Sequence, residues 1–259
     1  VGGYLGVEVD GAVVELDYDD THTPDLAAYK NAGYNIYKMD ETYEEKFPSD
    51  HYGLYAEVEI LHRLHVVEIN AATSSEETEQ QAFERMSRLA NTVNAVSAGD
   101  RLVIVQNAPE CLTEKMTRRN YDTANGIFWK KRYYSLEQKT DNAVVLKNLS
   151  DGKLLCVANG AAPVEGMPAV VGVTEALFGG EEYQALREGG TDVRRAVAPR
   201  NLTPTFHGQA ADLVAPALES HLFTFGEAVK PVGYRTLELQ SRGNYDGDRH
   251  AVVAELILD

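Results

Sequence analysis

Two acidic clusters contain the residue types that bind a hard cation such as calcium through carboxylate oxygens. They are Asp17, Asp19 and Asp20 near the start of the chain, and Asp246 and Asp248 near its end. The second cluster resembles the start of a calcium loop, but Gly247 comes two positions early and Arg249 occupies the turn position. A solvated loop and a Gly/Asp hairpin turn are the alternative interpretations. Calcium is thus the one cofactor for which the sequence offers candidates.

Histidines and carboxylates offer acid-base and metal chemistry, but no spacing selects among them. Imidazole is a common ligand of transition metals, and His51, His62 and His65 fall close together. The separation of His62 and His65 by three residues, however, sends the two side chains to opposite faces of an extended strand. His207 and His221 lack an identifiable nucleophile nearby. Carboxylate pairs suited to sugar hydrolysis are plentiful among the 40 Asp and Glu residues, and this abundance singles out none of them.

The sequence contains no motif of a known catalytic class. It has no glycine-rich phosphate loop, serine elbow, zinc-type histidine spacing or dinucleotide fingerprint. Cys111 and Cys156 permit one disulfide or two free thiols, and they exclude a four-cysteine metal site. Residues 128–134 mix aromatic and cationic side chains, which is typical of surfaces that stack on single-stranded nucleic acid or sugar, but also of an exposed edge strand.

Composition predicts an acidic protein with a substantial core. The 259 residues are 44% hydrophobic, and 24 Lys and Arg against 40 Asp and Glu give a formal charge of -16. This charge repels duplex nucleic acid and anionic membrane surfaces on average. No run of ~20 apolar residues is present, so membrane insertion is not expected. The start Val1-Gly2-Gly3 has no features of a signal peptide, and the missing initiator Met suggests a processed product or a fragment.

The clearest structural pattern is a strand, a long helix and a second strand between Leu64 and Gln106. The β-branched runs at residues 65–69 and 101–105 predict buried strands. Capping-box spacing at Ser74 and Glu77, or at residues 73 and 76, predicts the helix start, and Gly99 its end. A right-handed crossover between parallel strands is the simplest arrangement. The predicted core comprises Val66, Ile69, Phe83, Met86, Leu89, Val93, Val103 and Val105.

Antiparallel hairpins are predicted towards both ends of the chain. Asp10-Gly11 lies between alternating apolar residues near the start, and the predicted strands 234–239 and 251–258 are joined through residues 243–249 at the end. A further hairpin is predicted in the middle of the chain, where Asp151-Gly152 separates the predicted strands 143–147 and 153–157. The sequence therefore predicts a mixed α/β or α+β protein, in which a sheet carries one long packed helix and hairpins lie at both ends. The proline- and glycine-rich stretch after residue 160 is the best candidate boundary. It would separate an α/β domain at 1–160 from a β-rich second half at 161–259, unless both belong to the same domain.

The strand-helix-strand region between Leu64 and Gln106 resembles a known family. Residues 64–73, the helix after them, and residues 98–105 are similar to the interleukin-like EMT inducer domain, also called the GG domain. In that family a strand and a turn precede a helix that leads into a glycine-marked turn and a hydrophobic strand. Members occur in secreted signalling proteins, in the glycan-recognising stem of a glycosyltransferase and in phage tail proteins. The resemblance therefore implies a role in recognition or assembly.

Absent catalytic motifs, polar hairpin loops and this resemblance together predict a non-enzymatic structural or recognition protein. We expect a virion component, of a capsid or tail, or part of an extracellular assembly. The expected partners are copies of itself or other subunits, with glycans as a further candidate and duplex nucleic acid excluded. The stretches 40–50 and 107–125 are polar and predicted to be irregular, they are long enough to supply contacts, and aromatic residues lie in or beside them. The alternative is a carboxylate-based hydrolase acting on sugars or another neutral substrate.

Overall fold

The computed structural model describes most of the chain after residue 62. Side chains are described for residues 63–72, 77–96, 100–160, 162–208, 215–239 and 247–259. Backbone strands alone are described at residues 4–9, 12–17, 35–37, 53–55, 240–241 and 244–245. The chain forms two compact units, residues 1–61 and 62–259. The division falls before the long helix, whereas the predicted boundary lay near residue 160.

The described residues of the first unit form two strand pairs. Strand β1 (Tyr4–Val9) is antiparallel to β2 (Ala12–Asp17), with Val9 opposite Ala12. This pairing confirms the hairpin that the Asp-Gly turn predicted. The second pair is β3 (Asn35–Tyr37) with β4 (Gly53–Tyr55), also antiparallel.

The second unit contains two six-stranded sheets, here called sheet A and sheet B. Sheet A consists of β5 (Arg63–Asn70), β6 (Arg101–Gln106), β7 (Tyr121–Ala124), β8 (Ile127–Lys130), β15 (Val229–Leu237) and β18 (Ala251–Leu258), in the order β15-β18-β5-β6-β8-β7. Strands β5 and β6 are parallel, as the predicted crossover requires. The final strand β18 pairs antiparallel with both β5 and β15.

Sheet B is built from the middle of the chain. It consists of β9 (Tyr134–Lys139), β10 (Ala143–Asn148), β11 (Leu154–Asn159), β12 (Ala169–Val173), β13 (Thr191–Asp192) and β14 (His221–Phe225), in the order β13-β14-β12-β11-β10-β9. Strands β10 and β11 form the hairpin predicted in the middle of the chain. Because β11 and β12 pair in parallel across residues 160–168, the residues on both sides of the predicted boundary belong to one sheet. A small pair, β16 (Gln240–Ser241) and β17 (Asn244–Tyr245), completes the strands.

Sheets A and B pack face to face, and helices cover their outer faces. On β5, Leu64 and Val66 point into the core between the sheets, while Val67 and Ile69 point into a second core beneath the helices. Side chains alternate between the two faces of a strand, so burial on both faces explains the nearly continuous apolar run. Helices α1 (Glu79–Ala95) and α2 (Glu110–Thr117) cover sheet A, and α3 (Glu181–Gly189) covers sheet B.

The short helix α4 (Val193–Val197) adds Val193 to the core between the sheets. The fold prediction of a mixed α/β or α+β protein is confirmed. Within the described part of the chain, no helix combines the length and apolar content needed to cross a membrane.

Helix α1 begins later than predicted. Thr78 caps it in a capping box: Thr78 Oγ1 accepts a hydrogen bond from the Gln81 backbone N–H, and the Thr78 backbone N–H donates one to Gln81 Oε1. The predicted caps at 73 and 74 lie outside the described residues. The buried residues of α1 begin at Arg85 and include Met86, Leu89 and Val93. Phe83 is 50% exposed, so its prediction as a core residue is wrong; the Lys115 ammonium lies 3.1 Å from its ring centroid.

Two other expectations need correction. The stretch 107–125 was predicted to be irregular, but it contains α2 and β7, because Leu112 and Met116 supply an apolar face that packs with α1. In residues 128–134, Phe128, Trp129 and Tyr134 are buried in the cores, so these rings cannot form a stacking surface. Cys111 and Cys156 are both free thiols.

Candidate active site

Polar residues replace the apolar core at one end of the space between the two sheets. Along β5 the side chains facing sheet B change from Leu64 and Val66 to Glu68 and Asn70. The same change from apolar to polar side chains occurs on two other strands. It ends in Gln106 on β6 and in Asn159 on β11. Parallel strands end at a common edge, so these side chains converge there. We call this group the strand-end cluster; it also includes Asn107, Thr174 and Glu175 from the adjoining loops and Glu219, Asp248 and Arg249 from the loops before β14 and β18.

Hydrogen bonds fix the amide side of the strand-end cluster. Thr174 Oγ1 donates to Gln106 Oε1 over 2.7 Å. Asn70 Nδ2 donates to Glu175 Oε1 over 3.2 Å, while Asn70 Oδ1 accepts from Asn107 Nδ2 over 3.2 Å and from a backbone amide. Asn107 is exposed and has φ 55°, in the left-handed region that costs energy for a residue with a side chain. A strained residue therefore lies at the mouth of the cluster.

Arg249 is the cationic centre of the cluster. Its Nη1 donates to the Thr174 carbonyl oxygen over 2.6 Å and to Glu219 Oε2. Its Nη2 lies 3.8 Å from Glu175 Oε1, and its Nε lies 3.6 Å from Asp248 Oδ2. The side chain is only 11% exposed, so three carboxylates surround one partly desolvated guanidinium.

Residues 205–208 contact the side chain and the backbone of Arg249. The Phe206 ring lies 4.8 Å from the guanidinium carbon, at a distance typical of cation–π contact, and its backbone bridges to Arg249 and to Ala217. The His207 amide donates to the Asp248 carbonyl oxygen over 3.0 Å, and the His207 and His250 rings lie 4.4 Å apart. Burial lowers the pKa of His250, and the neighbouring His207 lowers it further.

Glu68 lies one layer deeper, towards the apolar core. It is fully buried, and neither carboxyl oxygen has a hydrogen-bond partner in the described part of the chain. Burial raises the pKa of Glu68 well above its usual value, and the charge of Arg249 opposes this rise only in part. Gly172 on the facing strand makes room, since a Cβ there would lie 2.8 Å from Glu68 Cγ.

A second buried polar group braces the loop that carries Glu175. Tyr183 Oη donates to Asp192 Oδ2 over 2.5 Å, and Arg194 Nη2 lies 3.8 Å from the same carboxylate. His221 Nε2 lies 2.9 Å from the Ala176 carbonyl oxygen, which identifies that nitrogen as the protonated one. Burial lowers the pKa of His221 to about 4, so the imidazole is neutral at neutral pH and acts as a hydrogen-bond donor to this loop.

The residues that the sequence selected contribute little to this site. Asp19, Asp20, Asp246, His51 and His62 lie outside the described residues, as does the side chain of Asp17. Asp248 belongs to the cluster, but it faces Arg249 and no calcium-loop arrangement. His65 Nε2 lies 3.7 Å from Glu255 instead, and His207 packs beside His250. Sequence reasoning missed Asn70, Glu175, Glu219 and Arg249, whose only local signal is polarity directly after buried strands.

No family model and no curated protein matches the sequence, so the resemblance to the interleukin-like domain stays a prediction. Solved structures do match. An endonuclease/exonuclease/phosphatase family protein from Bacteroides thetaiotaomicron is 14% identical, with a TM-score of 0.58 over 78% of this chain and 100% of that chain. The mannosyl-6-phosphatase Bt3783 of the same species is 13% identical, with a TM-score of 0.55 over 75% and 100%. TDP2 from D. rerio, complexed with a single-strand DNA product, is 10% identical, with a TM-score of 0.53 over 75% and 98%.

These likenesses establish the fold and correct three predictions. The fold is that of endonuclease/exonuclease/phosphatase enzymes, so the predictions of a structural virion or assembly component and of a protein without enzymatic activity are wrong. The predicted partners, which were copies of the protein or other assembly subunits, with glycans as a further candidate and no duplex nucleic acid, are contradicted because TDP2, which shares this fold, was solved with a single-strand DNA product. Net charge averages over the whole surface, so it does not determine what one site contacts.

Proteins with this fold typically use divalent metals, but the strand-end cluster does not fit one. Within the described ranges, no three His, Cys, Asp or Glu side chains are grouped to hold a metal ion. Glu175, Glu219 and Asp248 all face the Arg249 guanidinium, which is itself a cation. The remaining oxygen donors are occupied too, since Gln106 Oε1 accepts from Thr174 and Asn70 Oδ1 accepts two hydrogen bonds. The predicted calcium sites gain no support from the described residues.

Proposed function

We propose that residues 62–259 form a hydrolase that cleaves phosphate esters at the strand-end cluster. The observation that carries this proposal is Arg249, a nearly buried guanidinium fixed beside an exposed carboxylate at the strand ends. A guanidinium matches the geometry and charge of a phosphate group. The likeness to a mannosyl-6-phosphatase and to TDP2 supports the same class of reaction.

Glu175 is the residue suited to activate water. Its side chain is 61% exposed, whereas Glu219 is 21% and Asp248 33% exposed, so Glu175 is the most accessible of the three carboxylates. The hydrogen bond from Asn70 Nδ2 holds one of its oxygens and leaves the other for a water molecule. In the proposed step Glu175 takes the proton of water as its oxygen attacks phosphorus. The P–O bond to the leaving alcohol then breaks, the alcohol oxygen takes up a proton from solvent, and Glu175 returns the proton it accepted to solvent.

Arg249 would stabilise the charge that builds up on the phosphoryl oxygens. Its Nη1 hydrogens are already committed to Thr174 and Glu219, which fixes the orientation of the guanidinium plane. Nη2 lies 3.8 Å from Glu175 Oε1, beyond hydrogen-bond distance, and donates no hydrogen bond within the described part of the chain, so its hydrogens can bind an oxygen of the substrate. Donors fixed before the reaction stabilise a transition state without the cost of reorientation.

The exposed amide of Asn107 is positioned to bind the alcohol part of the substrate. Asn107 lies beside Asn70 at the mouth of the cluster, and its amide can both donate and accept hydrogen bonds. A hydroxyl-rich leaving group, such as a sugar or a nucleoside, offers the complementary donors and acceptors.

A hydrolase of neutral sugars is the second candidate, because carboxylates outnumber the cation around Arg249 by three to one. Excess negative charge disfavours a dianionic phosphate monoester more than a monoanionic diester or a neutral glycoside. Two carboxylates near a glycosidic bond would be the requirement for this chemistry. The two candidates differ in the substrate that must be consumed.

Release of p-nitrophenol from a matched panel tests the proposal. The panel comprises p-nitrophenyl phosphate, bis(p-nitrophenyl) phosphate and p-nitrophenyl glycosides, assayed with purified wild-type protein. We expect turnover of a phosphate ester and a loss of about 10²-fold or more in kcat for Glu175→Gln, since a general base contributes 10²–10⁴-fold. Glu114→Gln, on the exposed surface of α2, is the matched control and should retain full activity.

Three outcomes contradict the proposal. Turnover of glycosides alone would favour the second candidate. Equal rates for wild type and Glu175→Gln would assign the reaction to other residues or to a contaminant. The absence of turnover of any phosphate ester would remove the phosphoesterase hypothesis.

A further inference from the structure

We infer that Arg249 is a built-in cation of the strand-end cluster, so that this site binds and works without the divalent metal ion typical of its fold. The catalytic part of this inference rests on the proposed hydrolase function. The binding part does not, because it concerns which cation the carboxylates hold. It starts from the mismatch between the fold and the donor set.

The carboxylates of the strand-end cluster need a cation among them. Glu175, Glu219 and Asp248 converge from three separate loops, and such a group of carboxylates repels itself unless a cation lies among them. The Arg249 guanidinium supplies that cation, within 4 Å of all three carboxylates. A divalent ion entering the same space would have to lie beside the guanidinium positive charge or displace it.

Arg249 is held on several sides. Nη1 bonds to a backbone carbonyl oxygen as well as to a carboxylate, and Phe206 covers one face of the guanidinium. A side chain that is only 11% exposed and anchored on several sides is part of the architecture. It does not swing out readily to admit a metal ion.

The neutral oxygen atoms of the cluster already take part in hydrogen bonds. A hard cation needs six or more oxygen ligands, and amide and hydroxyl oxygens commonly supply some of them. Here Asn70 Oδ1 and Gln106 Oε1 accept hydrogen bonds within the cluster, and Thr174 Oγ1 donates its proton to Gln106. These contacts form one polar network that is complete without an ion.

Titration with Mn²⁺ after treatment with a chelator tests the inference directly. Isothermal calorimetry and Mn²⁺ electron paramagnetic resonance would measure binding to wild type, Arg249→Met and Arg249→Lys. We expect no saturable binding to wild type or to Arg249→Lys below ~1 mM, a concentration that corresponds to very weak affinity. Arg249→Met keeps the side-chain length but removes the charge, so it should bind one Mn²⁺ at least tenfold more tightly than wild type.

Measurements of melting temperature distinguish a variant that does not bind Mn²⁺ from one that does not fold. Because a bound ligand stabilises the folded state, Mn²⁺ should raise the melting temperature of Arg249→Met and leave that of wild type unchanged. If Arg249→Met does not fold, Arg249→Gln, which also removes the charge and keeps all three carboxylates, takes its place. A folded charge-deleted variant that gains no Mn²⁺ binding would overturn the inference.

Two results with the wild-type protein would overturn the inference. Stoichiometric Mn²⁺ binding that Glu219→Gln abolishes would show that the carboxylates serve a metal and not Arg249. If phosphate esters are hydrolysed, the rate should be the same in EDTA as in added Mg²⁺, and a strict requirement for Mg²⁺ would also overturn the inference. If no substrate is hydrolysed, the proposed hydrolase function is refuted but the inference about Arg249 is not. The Mn²⁺ titration then still decides whether Arg249 or a metal ion is the cation that the carboxylates hold.

Discussion

Glu68→Gln should change how the stability of the protein depends on pH. Glu68 is completely buried between the sheets without a described hydrogen-bond partner, and burial raises its pKa well above the ordinary value. Between the ordinary pKa and the raised one, the folded protein keeps the proton while the unfolded chain has lost it. The folded state binds more protons in this window, so the stability of the wild type falls as pH rises. The glutamine side chain of the variant does not titrate, so the variant lacks this loss.

The expected size follows from the same linkage. Each pH unit inside the window costs the wild type about 1.4 kcal/mol in free energy of unfolding relative to the variant. The loss begins above the ordinary glutamate pKa and ends at the raised pKa of the folded state. The introduced glutamine would itself be buried without a partner, but that penalty is the same at every pH. The slope, and not the absolute stability, therefore reports the ionisation of Glu68.

Urea unfolding at pH 5, 6, 7 and 8 measures this slope. The difference in free energy of unfolding between Glu68→Gln and wild type should grow in favour of the variant as pH rises. Glu137→Gln, on the exposed part of β9, is the control and should parallel the wild type. A constant difference across the range would refute the reasoning, because it would mean that Arg249 or water keeps the pKa of Glu68 near its usual value.

Three further predictions concern core packing and helix capping. Gly172→Ala should lower the free energy of unfolding by about 1–3 kcal/mol, because its Cβ would crowd Glu68 and Ile104, and Glu68→Ala in the same chain should recover part of the loss in a double-mutant cycle. Phe83→Ala should cost less than about 1.5 kcal/mol and Met86→Ala about 2–5 kcal/mol in urea unfolding, and equal costs would contradict the observed burial. Thr78→Ala should cost about 1 kcal/mol through the lost cap, whereas an unchanged urea midpoint would show that the cap is dispensable.

The candidate site was not predictable from local sequence. Asn70, Glu175, Glu219 and Arg249 are separated by 30 to more than 100 positions, and each lies in a segment without a motif. Their convergence depends on the pairing of β5 with β18 and on the packing of two sheets, which involve contacts between distant parts of the chain. The clustered aspartates drew attention because they are close in sequence, but chemistry in a folded protein depends on closeness in space.

The sequence by itself determined the elements whose signals are local. Alternating or continuous apolar runs specified β5 and β6, helical spacing specified most of the buried face of α1, and Asp-Gly turns specified two hairpins. Only the tertiary structure decided that Phe83 lies outside the core, that the strands form two facing sheets, and that Glu68 is buried beneath Arg249. Secondary structure follows from the spacing of neighbouring residues, whereas burial and charge pairing depend on which surface each element meets, and distant segments of the chain provide that surface.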